Sequence, residues 1–138
     1  MKQLLTLFLF LFFNLSHGLE IIDGDTFKHN GIKYRLAYID APELSQKTVG
    51  YLSKQHLQRI LKELDLVGMR IIATDIYNRK VVVIKDINFR MIKDGYAVVY
   101  DKYCSIKYFY SAEKEAKQNK KGIHRYNFTN PQQYRRKI

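Results

Sequence analysis

The chain has 138 residues, with 24 Lys plus Arg against 13 Asp plus Glu and a formal net charge of +11. Such an excess on so short a chain disfavours cationic partners and favours polyanions: nucleic acid, anionic lipid or acidic polysaccharide. The single cysteine, Cys104, excludes an intramolecular disulfide framework and any paired-cysteine zinc site, so a packed core or a bound ligand must hold the fold.

In chain order, Met1-Lys2-Gln3 is a short positive start, and Leu4 to Phe13 is apolar apart from Thr6. Ser16-His17-Gly18 then offers small residues where a signal peptidase reads. The apolar run falls short of the roughly 20 residues a membrane span needs. Residues 1–18 are therefore predicted to be a secretory signal, with an uncleaved anchor as the alternative, and residues 19–138 one folded domain, secreted or periplasmic. The domain is expected to be monomeric and not stably membrane-associated.

Glu20 to Ile22 is strand-like and leads into Asp23-Gly24-Asp25; Thr26 to His29 continues as a strand. Asn30-Gly31 is a hairpin signal, because both residues tolerate positive φ. Ile32 to Ile39 returns as a strand, and Pro42 takes the chain out of the ladder. Gln46 to Leu64 reads as a helix with Leu57, Ile60, Leu61 and Leu64 on one face. Two strands follow, Leu66 to Thr74 with Gly68 at a bulge, and Arg79 to Lys85. A short helix spans Ile87 to Lys93, Tyr96 to Tyr100 is extended, and a last helix spans Ser105 to Lys121 between Ser105 as cap and Gly122 as stop. From Asn127 onward the chain reads as a polar tail. This order suits an α+β domain: a five-stranded barrel of the OB type with about three helices.

The chemistry-bearing residues gather around the predicted hairpin. Closing it brings Asp25 and Asp40 to one edge, with Glu43 three residues beyond Asp40. Three carboxylates together repel unless a positive charge sits among them, and hard oxygen donors suit Ca²⁺ or Mg²⁺. Arg35 lies on the returning strand, and Arg79 follows the polar turn Asp75-Ile76-Tyr77-Asn78. Planar guanidinium groups suit the oxygens of a phosphodiester that gains charge as it is attacked. Each feature alone reads equally as a turn or a solvated surface arginine. The four histidines lack a Ser or Cys partner pattern and read as non-catalytic.

Taken together, Asp23-Gly24-Asp25-Thr26, then Arg35-Leu36-Ala37-Tyr38-Ile39-Asp40-Ala41-Pro42-Glu43, then Asp75-Ile76-Tyr77-Asn78-Arg79, resemble the staphylococcal nuclease family. The likeness extends through Asp94 to Tyr100, Tyr103, Ala112 to Ala116 and Lys121-Gly122-Ile123 to the tail at Tyr134-Arg135-Arg136. The resemblance implies cleavage of DNA and RNA to 3′-phosphate ends with Ca²⁺ as cofactor. It implies Asp25, Asp40 and the Ala41 carbonyl as metal ligands and Glu43 as the residue that orients or deprotonates water. Arg35 and Arg79 would hold the scissile phosphate, and Tyr77 and Tyr103 would line the nucleotide pocket. Ile76, Asn78 and His124 stand where the family more often has lysine, glycine and tryptophan. Asn78 also accepts left-handed geometry, so the turn is expected to survive. The alternative is an OB-type module that binds nucleic acid without cutting it, using tyrosines as stacking platforms. A pure binder has no need of clustered carboxylates that repel phosphate.

Overall fold

The computed structural model describes residues 18–138, so the predicted signal segment lies outside the described residues except for Gly18. In chain order the elements are β1 (Leu19–Ile21), β2 (Thr26–His29), β3 (Ile32–Leu36), β4 (Ile39–Asp40), α1 (Thr48–Ile60), β5 (Arg70–Thr74), β6 (Lys80–Val83), α2 (Ile87–Lys93), β7 (Val98–Val99), α3 (Lys107–Gln118) and α4 (Pro131–Lys137). Five strands form a mixed sheet in the order β1-β2-β3-β6-β5, and β4 pairs with β7 in a second small sheet. The α+β architecture is the one expected. Among the described residues the outer strands β1 and β5 do not pair with each other, so the barrel stays open along that seam.

The hairpin forms as its turn residues dictate. Asn30 and Gly31 have φ of 49° and 80°. This is the left-handed pair that matches the twist of the flanking strands. The resulting register sets Thr26 opposite Arg35 and Phe27 opposite Tyr34, whose rings stack at 5.0 Å. β3 then pairs in parallel with β6, placing Arg35 beside Val81. Beneath the sheet, Phe27, Leu36, Ile39, Leu57, Leu61, Val82, Ile84, Met91 and Ile92 form the core. Cys104 is buried in the same cluster, in line with a space-filling role.

Several expectations need correction. The strand read as Ile32 to Ile39 breaks at Tyr38, which has φ of 72°. The break moves the chain from the large sheet to the small one. Buried Asn88 holds it by donating to the carbonyls of Ala37 (3.1 Å) and Val82 (2.9 Å) while accepting from Ile84 N–H (3.0 Å). Second, α1 stops at Ile60, and Leu64 is 77% exposed in a short 3₁₀ turn despite its helical spacing. Third, the strand after Leu66 begins only at Arg70: Gly68 (φ 84°) turns the chain ahead of it, and the register shift lies between Ile71 and Ala73. Fourth, the tail contains α4, giving four α-helices among the described residues where about three are expected. Asn130 caps α4 by accepting from Gln132 N–H (2.9 Å), and Pro131 starts it. Ser105 does not cap α3, which begins at Lys107. Gly122 follows a further turn beyond that helix and meets the chain at Gly95, where Ile123 N–H donates to the Gly95 carbonyl (2.9 Å).

One contact between α1 and the turn after α2 is sensitive to pH. The His56 ring on α1 stacks on Tyr96 at 4.0 Å, with Nε2 2.8 Å from Asp94 and Nδ1 3.2 Å from Arg59. Arginine only donates, so Nδ1 accepts and the neutral ring carries its proton on Nε2. Burial, helped by the charges of Arg59 and Arg90 and opposed by Asp94, lowers the His56 pKa below its ordinary value. The folded state therefore binds this proton less well than the unfolded state. The contribution is complete above the ordinary value of 6.5 and is lost as pH falls below it. The melting temperature of wild type should exceed that of His56→Gln by a margin that shrinks between about pH 7.5 and about pH 5.5. A margin independent of pH would contradict this.

Candidate active site

The hairpin builds the site. Pairing Thr26 with Arg35 places the Arg35 side chain beside Asp25, and Leu36 N–H donates to the Asp25 carbonyl (2.8 Å). A Cβ on Gly24 would lie 2.7 Å from the Ala41 Cβ, so glycine is what lets the Asp25 turn approach the loop after β4. Asp25 Oδ2 accepts from the backbone N–H of Ala41 (2.7 Å), and its Oδ1 is 2.9 Å from Thr26 Oγ1. Asp40, at the end of β4, is completely buried.

Arg35 lies between the two acids. Its Nη2 is 3.4 Å from Asp25 Oδ2 and 3.3 Å from Asp40 Oδ1. Its Nη1 donates to the carbonyls of Leu36 (2.7 Å) and Ile39 (2.8 Å), the second made available by the break at Tyr38. With 8% of its surface exposed, Arg35 is the counter-ion of a buried acidic pair. Burial pushes the Asp40 carboxyl above its ordinary range, and the Asp25 charge adds to that push; the Arg135 hydrogen bonds pull the other way. Nearby Asp23, whose Oδ1 accepts from Asp25 N–H, is pushed up to about 7 by burial first and the Asp25 charge second.

Glu43 follows Pro42 and is part-exposed. A Cβ on Gly50 would sit 2.2 Å from the Glu43 carbonyl oxygen, so the missing side chain lets α1 press directly on this loop. Glu43 Oε1 meets Arg135 Nη1 at 3.1 Å.

Arg79 reaches the same edge from the turn before β6. Asp75 orients it, accepting from its Nε (2.7 Å) and its backbone N–H (2.9 Å). Burial pushes the Asp75 carboxyl up, but these bonds outweigh it and leave the group below its ordinary value. Arg79 Nη1 then lies 3.4 Å from Thr26 Oγ1, the hydroxyl that also meets Asp25. Asn78 adopts φ of 61°, so the turn survives without glycine. Tyr77 is 74% exposed, with its ring 5.5 Å from the Arg79 guanidinium. Tyr103 is also exposed and packs edge-on against Tyr100 at 4.8 Å.

Asp25, Arg35, Asp40, Ala41 and Glu43 are thus brought together, with Arg79 joined through Thr26; Tyr77 and Tyr103 stand outside this contact set. Among the described residues no three acidic, His or Cys side chains close around one point. Arg35 fills the gap between Asp25 and Asp40, and Arg135 fills that between Asp40 and Glu43. All the donors are nevertheless hard oxygens, and a fully buried carboxylate demands a cationic partner. That chemistry fits a hard divalent ion better than zinc.

Sequence reasoning missed two neighbours. Arg135 of α4 falls in the segment that reads from sequence as tail, although Asn130-Pro131 is a helix-start signal. Tyr100, whose ring lies 5.9 Å from both the Arg35 and the Arg135 guanidinium, is in sequence only the end of an extended piece.

Residues 33–126 match the family model of staphylococcal nuclease homologues. The chain belongs to the staphylococcal nuclease family. Its match includes Arg35, Asp40, Glu43, Tyr77, Arg79 and Tyr103; Asp25 precedes it and Arg135 follows it. The chain is also similar to an uncharacterized endonuclease of Haemophilus influenzae, being 33% identical over 127 residues that cover 86% of this chain and 69% of that protein.

Proposed function

We propose that this staphylococcal nuclease family member hydrolyses phosphodiester bonds of DNA and RNA, with Ca²⁺ as cofactor and 3′-phosphate products. Export through the residue 1–18 signal is part of the same proposal. What supports it is the convergence of Asp25, Arg35 and Asp40 at one buried edge, beside Glu43 and Arg79. The Haemophilus influenzae relative, named an endonuclease, points the same way.

In this reading Asp25, Asp40 and the Ala41 carbonyl hold the cation, which supplies positive charge that offsets the charge gained by the phosphate. Glu43, part-exposed at the mouth, accepts a proton from the attacking water or fixes its orientation. Arg35 and Arg79 donate to non-bridging oxygens, with Arg79 towards the leaving side and already oriented by Asp75. Tyr77 and Tyr103 offer exposed ring faces to bases.

Purified protein should degrade denatured DNA in Ca²⁺ and lose at least about tenfold of that rate in a calcium-selective chelator, since phosphoryl charge stabilisation is worth several kcal/mol. Undiminished cleavage in chelator would reject the metal.

A further inference from the structure

The contact with most consequence beyond that reading comes from the C-terminal helix. Arg135 forms a two-pronged pair with Asp40: Nη2 lies 2.6 Å from Oδ2 and Nη1 2.9 Å from Oδ1. The same Nη1 bonds Glu43 Oε1 at 3.1 Å. Asp40 Oδ1 already faces Arg35 Nη2. A carboxylate offers about four lone-pair positions. Here guanidinium groups take both on Oδ1 and one on Oδ2.

We propose that Arg135 is an internal competitor for the catalytic cation: it and the divalent ion take the same oxygens of Asp40, so the ion binds fully only as Arg135 withdraws, and the same withdrawal frees Glu43. The inference rests on the metal reading above and adds a setting for the affinity. Two physical points carry it. The lone-pair geometry leaves a metal one free position on Asp40, and that position lies beside a fixed positive charge. A divalent ion and a guanidinium that share one carboxylate repel each other, and burial weakens the screening between them.

α4 is built to keep Arg135 at hand. Besides its Asn130 cap, Gln46 Nε2 donates to the Thr129 carbonyl (2.8 Å) and Tyr134 Oη reaches Ser45 Oγ (3.0 Å). Gln132 Nε2 donates to the Val99 carbonyl (3.3 Å). None of these bonds involves the Arg135 side chain. The helix therefore stays docked when the guanidinium swings out, and the side chain, one-third exposed, has solvent to swing into. Arg135 acts through Asp40 and Glu43, as a positioning residue.

The test is calorimetric titration of the full chain with Ca²⁺ alone, without substrate. Arg135→Gln should bind Ca²⁺ at least tenfold more tightly than wild type. Arg135→Lys, which keeps the charge but loses the fork, should fall between them. The Arg135 side-chain NMR signals of wild type should move to solvent-exposed positions as Ca²⁺ is added. Without Ca²⁺, Arg135→Gln should melt at lower temperature, because its carboxylates lose a cation; with saturating Ca²⁺ it should recover. Equal or weaker Ca²⁺ binding by both variants overturns the competitor while leaving the metal site intact. Absence of Ca²⁺ binding by wild type and both variants overturns the metal reading itself.

Discussion

Arg79→Lys is expected to lower single-turnover cleavage of DNA at least about a hundredfold, a loss of roughly 3 kcal/mol of transition-state stabilisation. Affinity for uncleaved DNA at fixed salt should change by no more than about threefold, because ground-state binding rests on diffuse charge from many basic residues. The substitution keeps the positive charge and removes the fork. In the native site Asp75 takes Arg79 Nε and leaves Nη1 beside Thr26, the hydroxyl that also meets Asp25. An ammonium held by Asp75 has no second arm to reach that hydroxyl. The measurement pairs a rate with a binding constant for wild type and variant. A variant that cuts at the wild-type rate removes Arg79 from the chemistry. Wild-type protein that binds DNA tightly in Ca²⁺ and never cuts it would favour the non-catalytic OB-type module.

The second large effect is on stability. Arg35→Met should reduce the free energy of unfolding by about 3–5 kcal/mol, the range seen when one partner of a buried ion pair is removed. Methionine fills much of the volume, so the loss is electrostatic. Asp25 and Asp40 would face each other without Arg35, and the Leu36 and Ile39 carbonyls would lose a donor. Arg135 would still pair with Asp40 but does not reach Asp25 in the native arrangement. The sign with pH follows from the Asp40 pKa, which burial already raises: acidification protonates Asp40, removes its repulsion with Asp25 and should narrow the gap between variant and wild type. Urea unfolding at neutral and mildly acidic pH measures both. A loss below about 1 kcal/mol, the scale of an exposed pair, would mean that Arg35 is not the counter-ion of this pair.

The part of the site that was legible in sequence is the part the hairpin makes local. Asn30-Gly31 fixes the turn, the turn fixes the register, and the register places Arg35 beside Asp25. The family motif then adds Glu43 and Arg79. Longer-range or side-chain-dependent features were not legible. Leu64 satisfies helical spacing, yet α1 ends before it, since periodicity records which residues are apolar and not where a helix stops. Tyr38 adopts positive φ with no glycine or asparagine to announce it; its ring packs edge-on against Phe109 from α3 at 5.9 Å, a contact no local window contains. Arg135 shares its composition with Arg136 and Lys137, and only the docking of α4 distinguishes it. The Asn130-Pro131 start was present in the sequence, but charge and a position at the end of the chain made the segment look like tail.

The sequence separations of the site contacts set an order of assembly. Asp25 to Ala41 closes a loop of 16 residues, Thr26 to Arg79 one of 53, and Asp40 to Arg135 one of 95. Closing the last costs about 1.6 kcal/mol more chain entropy than closing the first, and the middle one about 1 kcal/mol more. The first loop contains the two-residue turn of the β2–β3 hairpin, which carries Arg35 to Asp25 and closes on the microsecond scale of isolated hairpins, whereas Asp40 sits on β4 and is fixed only when β7 pairs with it. During synthesis the ribosome releases the hairpin long before Arg135 exists. Asp25 and Arg35 are thus in place first, Asp40 follows when β7 is made, and the residue that guards Asp40 is the last of the site to appear.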